Sequence, residues 1–326
     1  MEDTLLTRYI RILIVVVIYW VVSISLVFCN KALLSGSQTI DAPFFVTWYQ
    51  CVITFFGCYA VLCVQKQKSG DGKSIEISFE KSEKILPLSL VFVSMITFNN
   101  LCLKNVGVSF YYIGRSLTTV FNVLFTYFLL GEKTSVRAVG CCCLIIFGFL
   151  LGVNQESEGD SFSLSGTVFG VLASLFVCLN SIYTKKILPE VDGSIWSLQM
   201  YNNLNAIVLF VPLMLIFGEF DVISSYTYLY SLSFWGMMSV GGILGLAIGY
   251  VTGLQIKITS PLTHNISGTA KSAVQTVMAT QFSGEMKTNW WWGSNAIVLG
   301  GSALYAYVRN REMASKIKPL PSTNKI

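Results

Sequence analysis

Apolar residues run along this chain in long blocks and do not alternate with polar ones. The blocks cover residues 10–34, 43–64, 85–104, 108–130, 134–153, 164–187, 194–217, 231–255, 260–282 and 290–308. A run of about 20 apolar residues crosses the hydrocarbon core of a bilayer as a helix. Only a helix satisfies every backbone N–H and C=O within one such segment. The pattern predicts an all-α integral membrane protein with ten transmembrane helices. Connections are short, apart from the polar stretch Gln65 to Lys84. The first block is too long for a signal-peptide core and has no small-residue cleavage site behind it, so it reads as the first span.

Charge supplies the sidedness. With the N-terminus in the cytosol, 17 of the 22 lysines and arginines fall on the cytosolic side, 3 on the other and 2 inside spans. That is the positive-inside bias. The stretch from Asn154 to Ser163 carries no basic residue, as expected of a lumenal loop. The expected arrangement is an even number of spans with both termini cytosolic.

Composition narrows the chemistry. The chain is 53% hydrophobic and 12% charged, and a soluble domain carries about twice that charged fraction. All nine cysteines lie in or at the ends of apolar blocks, and Cys141, Cys142 and Cys143 point three ways around a helix. They read as small core hydrophobes, not as disulfides or a metal site. His264 is the single histidine, which argues against most triad and metalloenzyme chemistry. Asn265-Ile266-Ser267 fits a glycosylation sequon but falls inside a span. No catalytic residue, cofactor or metal is expected. A membrane-bound sugar-transferring enzyme would need paired carboxylates at the membrane face, and the sequence offers only loop acids.

The chain repeats at an offset of 153 residues: Gly131-Glu132 matches Gly284-Glu285, Gly140 matches Gly293, Gly148 matches Gly301, and Leu101 and Lys104 match Leu254 and Lys257. Asn30 pairs with Asn180, and Tyr49-Gln50 with Tyr201-Asn202, at slightly smaller offsets. The halves are 1–158 and 159–326, each a five-helix repeat of one integrated transmembrane domain. Five is odd, so the second copy is inverted relative to the first. Inverted repeats belong to secondary transporters, whose two halves can close either side of a central site.

Polar residues inside the blocks mark candidate contacts. An ionised side chain near a span centre costs roughly 2.5–3.5 kcal/mol on insertion scales. Arg115 lies in the fourth block and Lys271 near the middle of the ninth, and no acidic residue sits at comparable depth. Two such cations point to an anionic substrate. Tyr201 precedes Asn202 and Asn203, whose amides donate and accept at once and suit the edge of a nucleobase. Asn99 and Asn100 read as interhelical glue. Ser267 and Gly268, ahead of Lys271, are small enough to leave room for a phosphate.

Several long stretches carry a family resemblance. They are ITFNNLCLKNVGVSFY (96–111), GRSLTTVFNVL (114–124), GTVFGVLAS (166–174), LPEVDGSIW (188–196) and GYVTGLQIKITSPLTHNISGTAK (249–271). Over nearly its whole length the chain resembles the nucleotide-sugar transporters of the drug/metabolite transporter superfamily. The resemblance implies an antiporter that moves GDP-fucose from cytosol to Golgi lumen in exchange for GMP. The alternative is another nucleotide sugar or a sugar phosphate on the same fold. GDP-sugar carriers of this type read guanine with an FYNN motif on the seventh span, which here is Met200-Tyr201-Asn202-Asn203. Their GALNK motif on the ninth span handles ribose and phosphate. Here it is Ser267-Gly268-Thr269-Ala270-Lys271, with the lysine kept and serine and alanine in the glycine and asparagine slots. That departure argues against GDP-mannose as the main substrate. The resemblance also puts Tyr19 near the sugar. The expected partners are GDP-fucose, GMP and membrane lipid, with a homodimer left open and no nucleic acid. Golgi residence comes from the resemblance alone, since the C-terminal Thr-Asn-Lys-Ile carries no dilysine or KDEL-type address.

Overall fold

A computed structural model describes residues 5–35, 40–68, 77–105, 115–130, 135–157, 164–283 and 288–317. The described residues form α1 (Leu5–Ser35), α2 (Pro43–Lys68), α3 (Phe79–Asn105), α4 (Leu117–Leu130), α5 (Val136–Ser157) and α6 (Leu164–Ile187). A 3-10 turn (Leu188–Val191) leads to α7 (Ile195–Ile216), followed by the short α8 (Glu219–Ser225) and a second 3-10 turn (Thr227–Tyr230). The chain continues as α9 (Leu232–Ile258), α10 (Pro261–Ser283) and α11 (Asn289–Ile317). Among the described residues there is no strand.

Among the described residues, seven stretches are long and apolar enough to cross a membrane: Ile10–Asn30, Pro43–Lys68, Phe79–Cys102, Val136–Gln155, Leu164–Val191, Ile195–Ile216 and Leu232–Ile258. The protein is an all-α, multi-pass membrane protein. α1 shows the reason on its surface, where Leu13, Ile14, Val17, Ile18 and Val21 are exposed. Acyl chains solvate such a face at no cost in backbone hydrogen bonds. Within the described residues, the other three predicted blocks also fall on helices. α4 begins only at Leu117 and has 14 residues, about 21 Å of helix against a hydrocarbon core of ~30 Å. The earlier part of that block, 108–114, lies outside the described residues. α10 is rich in hydroxyl and amide side chains, and α11 ends in a charged segment. Helices run past the hydropathy boundaries: α2 continues to Lys68, α3 starts at Phe79 and α11 reaches Ile317. Hydropathy marks the edge of the lipid, whereas a helix ends where its backbone hydrogen bonds stop.

The chain divides into two compact units, residues 1–101 with 179–264 and residues 102–178 with 265–326. Each draws on both halves of the sequence.

In the first unit α1 packs on α9, α9 on α2, and α2 on α7. Glycine permits the α9–α2 approach, since a Cβ on Gly242 would lie 2.6 Å from Cβ of Ile53. Ala42, Phe44, Phe45, Val93, Phe210, Met214, Phe234 and Met238 form the main apolar cluster. One buried acid belongs to this frame. The Glu219 carboxylate accepts the backbone N–H of Phe44 at 2.9 Å and of Phe45 at 2.7 Å. Pro43 opens α2 without an N–H, and Glu219 satisfies the next two donors from a helix 175 residues away. Negative charge is also favoured at that end of the helix dipole. At the far end of α9, Lys185 Nζ donates to the carbonyls of Ile256 (3.4 Å) and Lys257 (3.2 Å). Lys257 Nζ donates to the carbonyl of Gly193 at 2.6 Å.

In the second unit α5 packs along α11 and α4 packs on α5. The α5–α11 contact is reciprocal. A Cβ on Gly148 would come within 2.9 Å of Val298, and one on Gly301 within 2.9 Å of Ile145. Gly148 and Gly301 stand 153 residues apart in the sequence, as do Ile145 and Val298.

Candidate functional site

In the first unit, α7 carries a run of buried amide side chains. Asp192 and Gly193 turn the chain with φ of 55° and 68°. Ser194 then caps α7, its hydroxyl accepting the N–H of Ser197 at 3.3 Å. The helix carries Met200, Tyr201, Asn202, Asn203 and Asn205, all buried.

These residues differ in what they touch. The Tyr201 hydroxyl oxygen accepts the backbone N–H of Ser78 at 3.1 Å, which ties α7 to the start of α3. Asn205 is fully engaged with α3. Its Oδ1 accepts from the Ser82 hydroxyl at 2.5 Å, and its Nδ2 donates to the Ser82 carbonyl (2.9 Å) and the Ser89 hydroxyl (3.2 Å). Asn203 Nδ2 donates to the Gln199 carbonyl at 2.8 Å and to Gln199 Oε1 at 3.4 Å. Asn202 is 4% exposed, and its Oδ1 is buried with no hydrogen-bond partner. A buried acceptor left unpaired costs about 1–3 kcal/mol, and such an atom asks for a reason.

Tyr19, on α1, is buried, with its ring edge-on to the His264 ring at 5.0 Å between centroids. His264 Nδ1 lies 3.0 Å from Oε1 of the fully buried Gln255. Sequence reasoning gave no part to Gln199, Gln255 or Glu219. Gln199 stands four residues before Asn203, a spacing that brings side chains together on a helix. Gln255 and His264 meet across the turn between α9 and α10, and Glu219 reaches α2 from far along the chain, so neither had a local signal.

The second unit holds the cations. Lys271, on α10, is 5% exposed. Arg115 is half-buried in the turn that leads into α4, where its carbonyl accepts the N–H of Thr118 at 3.2 Å. The block pattern placed Arg115 inside a span. In the structure it stands before the first residue of α4, where a side chain has more freedom than on a helix wall. Its positive charge is close enough to repel that of Lys271. Ser267 and Gly268 are half-buried. The α10 hydroxyls are satisfied by their own helix: Thr269, Ser272, Thr276 and Thr280 donate to the carbonyls of Asn265, Gly268, Ser272 and Thr276 at 2.9–3.1 Å. Back-bonding of this kind leaves a polar helix face that still has its backbone paired. A cation beside it is not surrounded by hydrocarbon alone. The groove between α10 and α11, about 320 Å³, is lined mostly by apolar residues such as Val274, Val277, Trp292 and Leu299, and its two polar residues, Thr276 and Asn295, donate to carbonyls of their own helices.

A buried lysine with a half-buried arginine near it, and a buried amide oxygen without a partner, are expensive in a membrane protein and mark candidate functional groups. Residues 10–306 match the Triose-phosphate Transporter family. The chain belongs to that family. As a member it is a transporter and not an enzyme. It is 56% identical over 317 residues to GDP-fucose transporter 1 of Nematostella vectensis, covering 96% of this chain and 93% of that one. It is 46% identical over 318 residues to the "GDP-fucose transporter, Golgi" of Drosophila melanogaster, covering 96% and 94%. A solved crystal structure at 14% identity aligns with a TM-score of 0.59 over 90% of this chain and 98% of that one, a likeness of fold alone.

Proposed function

We infer that this transporter carries GDP-fucose into the Golgi lumen and returns GMP. Relatives named for GDP-fucose match almost the whole chain at 46–56% identity, and one carries Golgi in its name. Within the molecule, the observation that carries the reading is the unpartnered Oδ1 of Asn202. Guanine presents N1–H and N2–H donors beside its O6 acceptor, and an amide oxygen held without a partner is complementary to such a donor. In this reading Asn202 and Asn203 take the base, and Tyr201 fixes α7 to α3 at their level. Lys271 supplies charge to the phosphates, with Arg115 as the second cation and Ser267 and Gly268 as the small residues that let phosphate and ribose approach. Tyr19, beside His264, is assigned to the sugar.

Ten transmembrane helices in two inverted five-helix repeats, 1–158 and 159–326, with both termini cytosolic, complete the proposal. The reciprocal packing of Gly148 and Gly301 supports it, because a two-fold relation between α5 and α11 generates that pairing. So does the excess of basic residues on one side. Membrane lipid is the solvent for the apolar faces, and the working assembly is a monomer or a homodimer.

The test is counterflow. Liposomes reconstituted with the protein and preloaded with GMP take up labelled GDP-fucose, and external GMP competes while UMP and CMP do not. Equal competition by GMP and UMP removes the guanine assignment. Uptake driven equally by an unrelated nucleotide sugar or a sugar phosphate favours the alternative substrate.

A further inference from the structure

We propose that Gln199 sets the guanine preference of this transporter by locking Asn203 as an acceptor. The proposal rests on the base-reading role given above to Asn202 and Asn203.

The orientation of an amide side chain is decided by its hydrogen-bond network, and here the network starts from a main-chain carbonyl, which can only accept. Gln199 Nε2 donates to the carbonyl of Gly249, on α9, at 3.1 Å. That turns Gln199 Oε1 the other way, towards Asn203. Asn203 Nδ2 then sits 3.4 Å from Gln199 Oε1 and 2.8 Å from the Gln199 carbonyl, two acceptors for its two N–H groups. Its donors are used up, and the capacity left to Asn203 is the acceptor oxygen Oδ1. The approach depends on glycine at 249, where a Cβ would stand 2.8 Å from Gln199 Oε1. Next along α7, Asn202 Oδ1 is also an acceptor without a partner.

α7 therefore carries amide oxygens on two successive residues that are left to act as acceptors, that of Asn203 by its orientation and that of Asn202 buried without a partner. Of the common bases, guanine alone presents two adjacent donors on its pairing edge, N1–H and N2–H. Adenine has a donor beside an acceptor, and uracil has one donor between two acceptors. Hypoxanthine keeps N1–H and lacks the 2-amino group. A site built of acceptors leaves one of them unpaired against each of these, and sites that lose a buried partner reject the analogue strongly. Without the Gln199 side chain, Asn203 Nδ2 keeps the main-chain carbonyl of residue 199, but its second N–H loses its acceptor and is left to pair with an acceptor of the base, so the discrimination is lost before binding is.

The test uses the full-length protein, purified in detergent, with thermal stabilisation by GMP, IMP and UMP as the readout, alongside competition in GMP-loaded liposomes. The parent should prefer GMP over IMP by roughly ten- to a hundred-fold, the effect of one buried acceptor left unpaired. A parent that binds GMP and UMP alike defeats the base-reading role itself, and this arm is independent of Gln199. Given a selective parent, Gln199→Met, close in length and without an amide, should bind GMP less well and shrink the GMP:IMP preference to a few-fold. Gly249→Ala, which displaces the Gln199 amide without removing it, should give the same flattened profile. An unchanged GMP:IMP ratio in folded Gln199→Met overturns the proposal. So does loss of stabilisation by all three nucleotides in both folded variants, since Gln199 would then serve binding in general and not the choice of base.

Discussion

Two asparagines three residues apart on α7 show how alike side chains acquire different work. Asn205 makes three hydrogen bonds to Ser82 and Ser89, whereas Asn202 Oδ1 makes none. Asn205→Leu should lower stability by about 2–3 kcal/mol, because Ser82 and Ser89 lose buried partners. Asn202→Leu should leave stability unchanged or raise it by ~1 kcal/mol, since it removes an unpaired polar atom. It should nevertheless weaken GMP competition at least tenfold. Thermal unfolding in detergent and competition in liposomes measure the pair. Loss of more than ~2 kcal/mol on Asn202→Leu would make that amide structural glue. Lys271→Gln belongs to the same class. Removing a buried cation that Arg115 repels should preserve folding while nucleotide binding falls about 10- to 100-fold, the worth of a charged hydrogen bond. Retained GMP binding by Lys271→Gln would take the lysine out of the phosphate contact. The residue types were legible in the sequence, because amides and cations in apolar blocks stand out. Which amide is already paired was not, because the partners lie on α3.

Helices here are positioned by a few polar ties set among apolar contacts. The strongest is Glu219, whose carboxylate holds two N–H groups at the start of α2. Two buried charge-assisted bonds make Glu219→Ala costly, by about 3 kcal/mol or more. Glu219→Gln should recover part of this, since its amide offers one acceptor in place of two. Detergent stability of both variants, with transport per folded molecule unchanged, is the expected result. An undisturbed Glu219→Ala would mean that Pro43 and the apolar packing hold α2 unaided. Nothing local announces this tie, since Glu219 and Phe44 are 175 residues apart. The opposite held for the apolar blocks. Their existence was readable because helix is the cheap way to bury backbone in lipid, while their ends were not, because α2, α3 and α11 continue past the apolar blocks into polar sequence.

At the scale of the whole molecule, the proposed exchange follows from charge. GDP-fucose and GMP carry roughly two negative charges each near neutral pH, so one-for-one exchange moves little net charge. A buried cation such as Lys271 is costly in a low-dielectric interior, and a bound phosphate lowers that cost. The empty form should then reorient slowly, and uptake should require nucleotide inside the vesicle. Fast uptake into empty liposomes, indifferent to internal GMP, would refute the exchange. Epitope tags at residue 1, near residue 70 and after residue 326 should all be reached after selective plasma-membrane permeabilisation, and a protected C-terminus would break the ten-span arrangement. By itself the sequence determined that this is a helical membrane protein, roughly where its helices lie, and which side chains are too polar to be there without purpose. Those properties depend on one residue and its solvent, and hydropathy reports them directly. Only the tertiary structure decided that Asn205 is consumed by α3, that a carbonyl on α9 orients the Gln199–Asn203 pair, and that Glu219 starts α2. Each is a pairing between distant segments, and a donor's free energy depends on whether its acceptor arrives, which no single stretch of chain encodes.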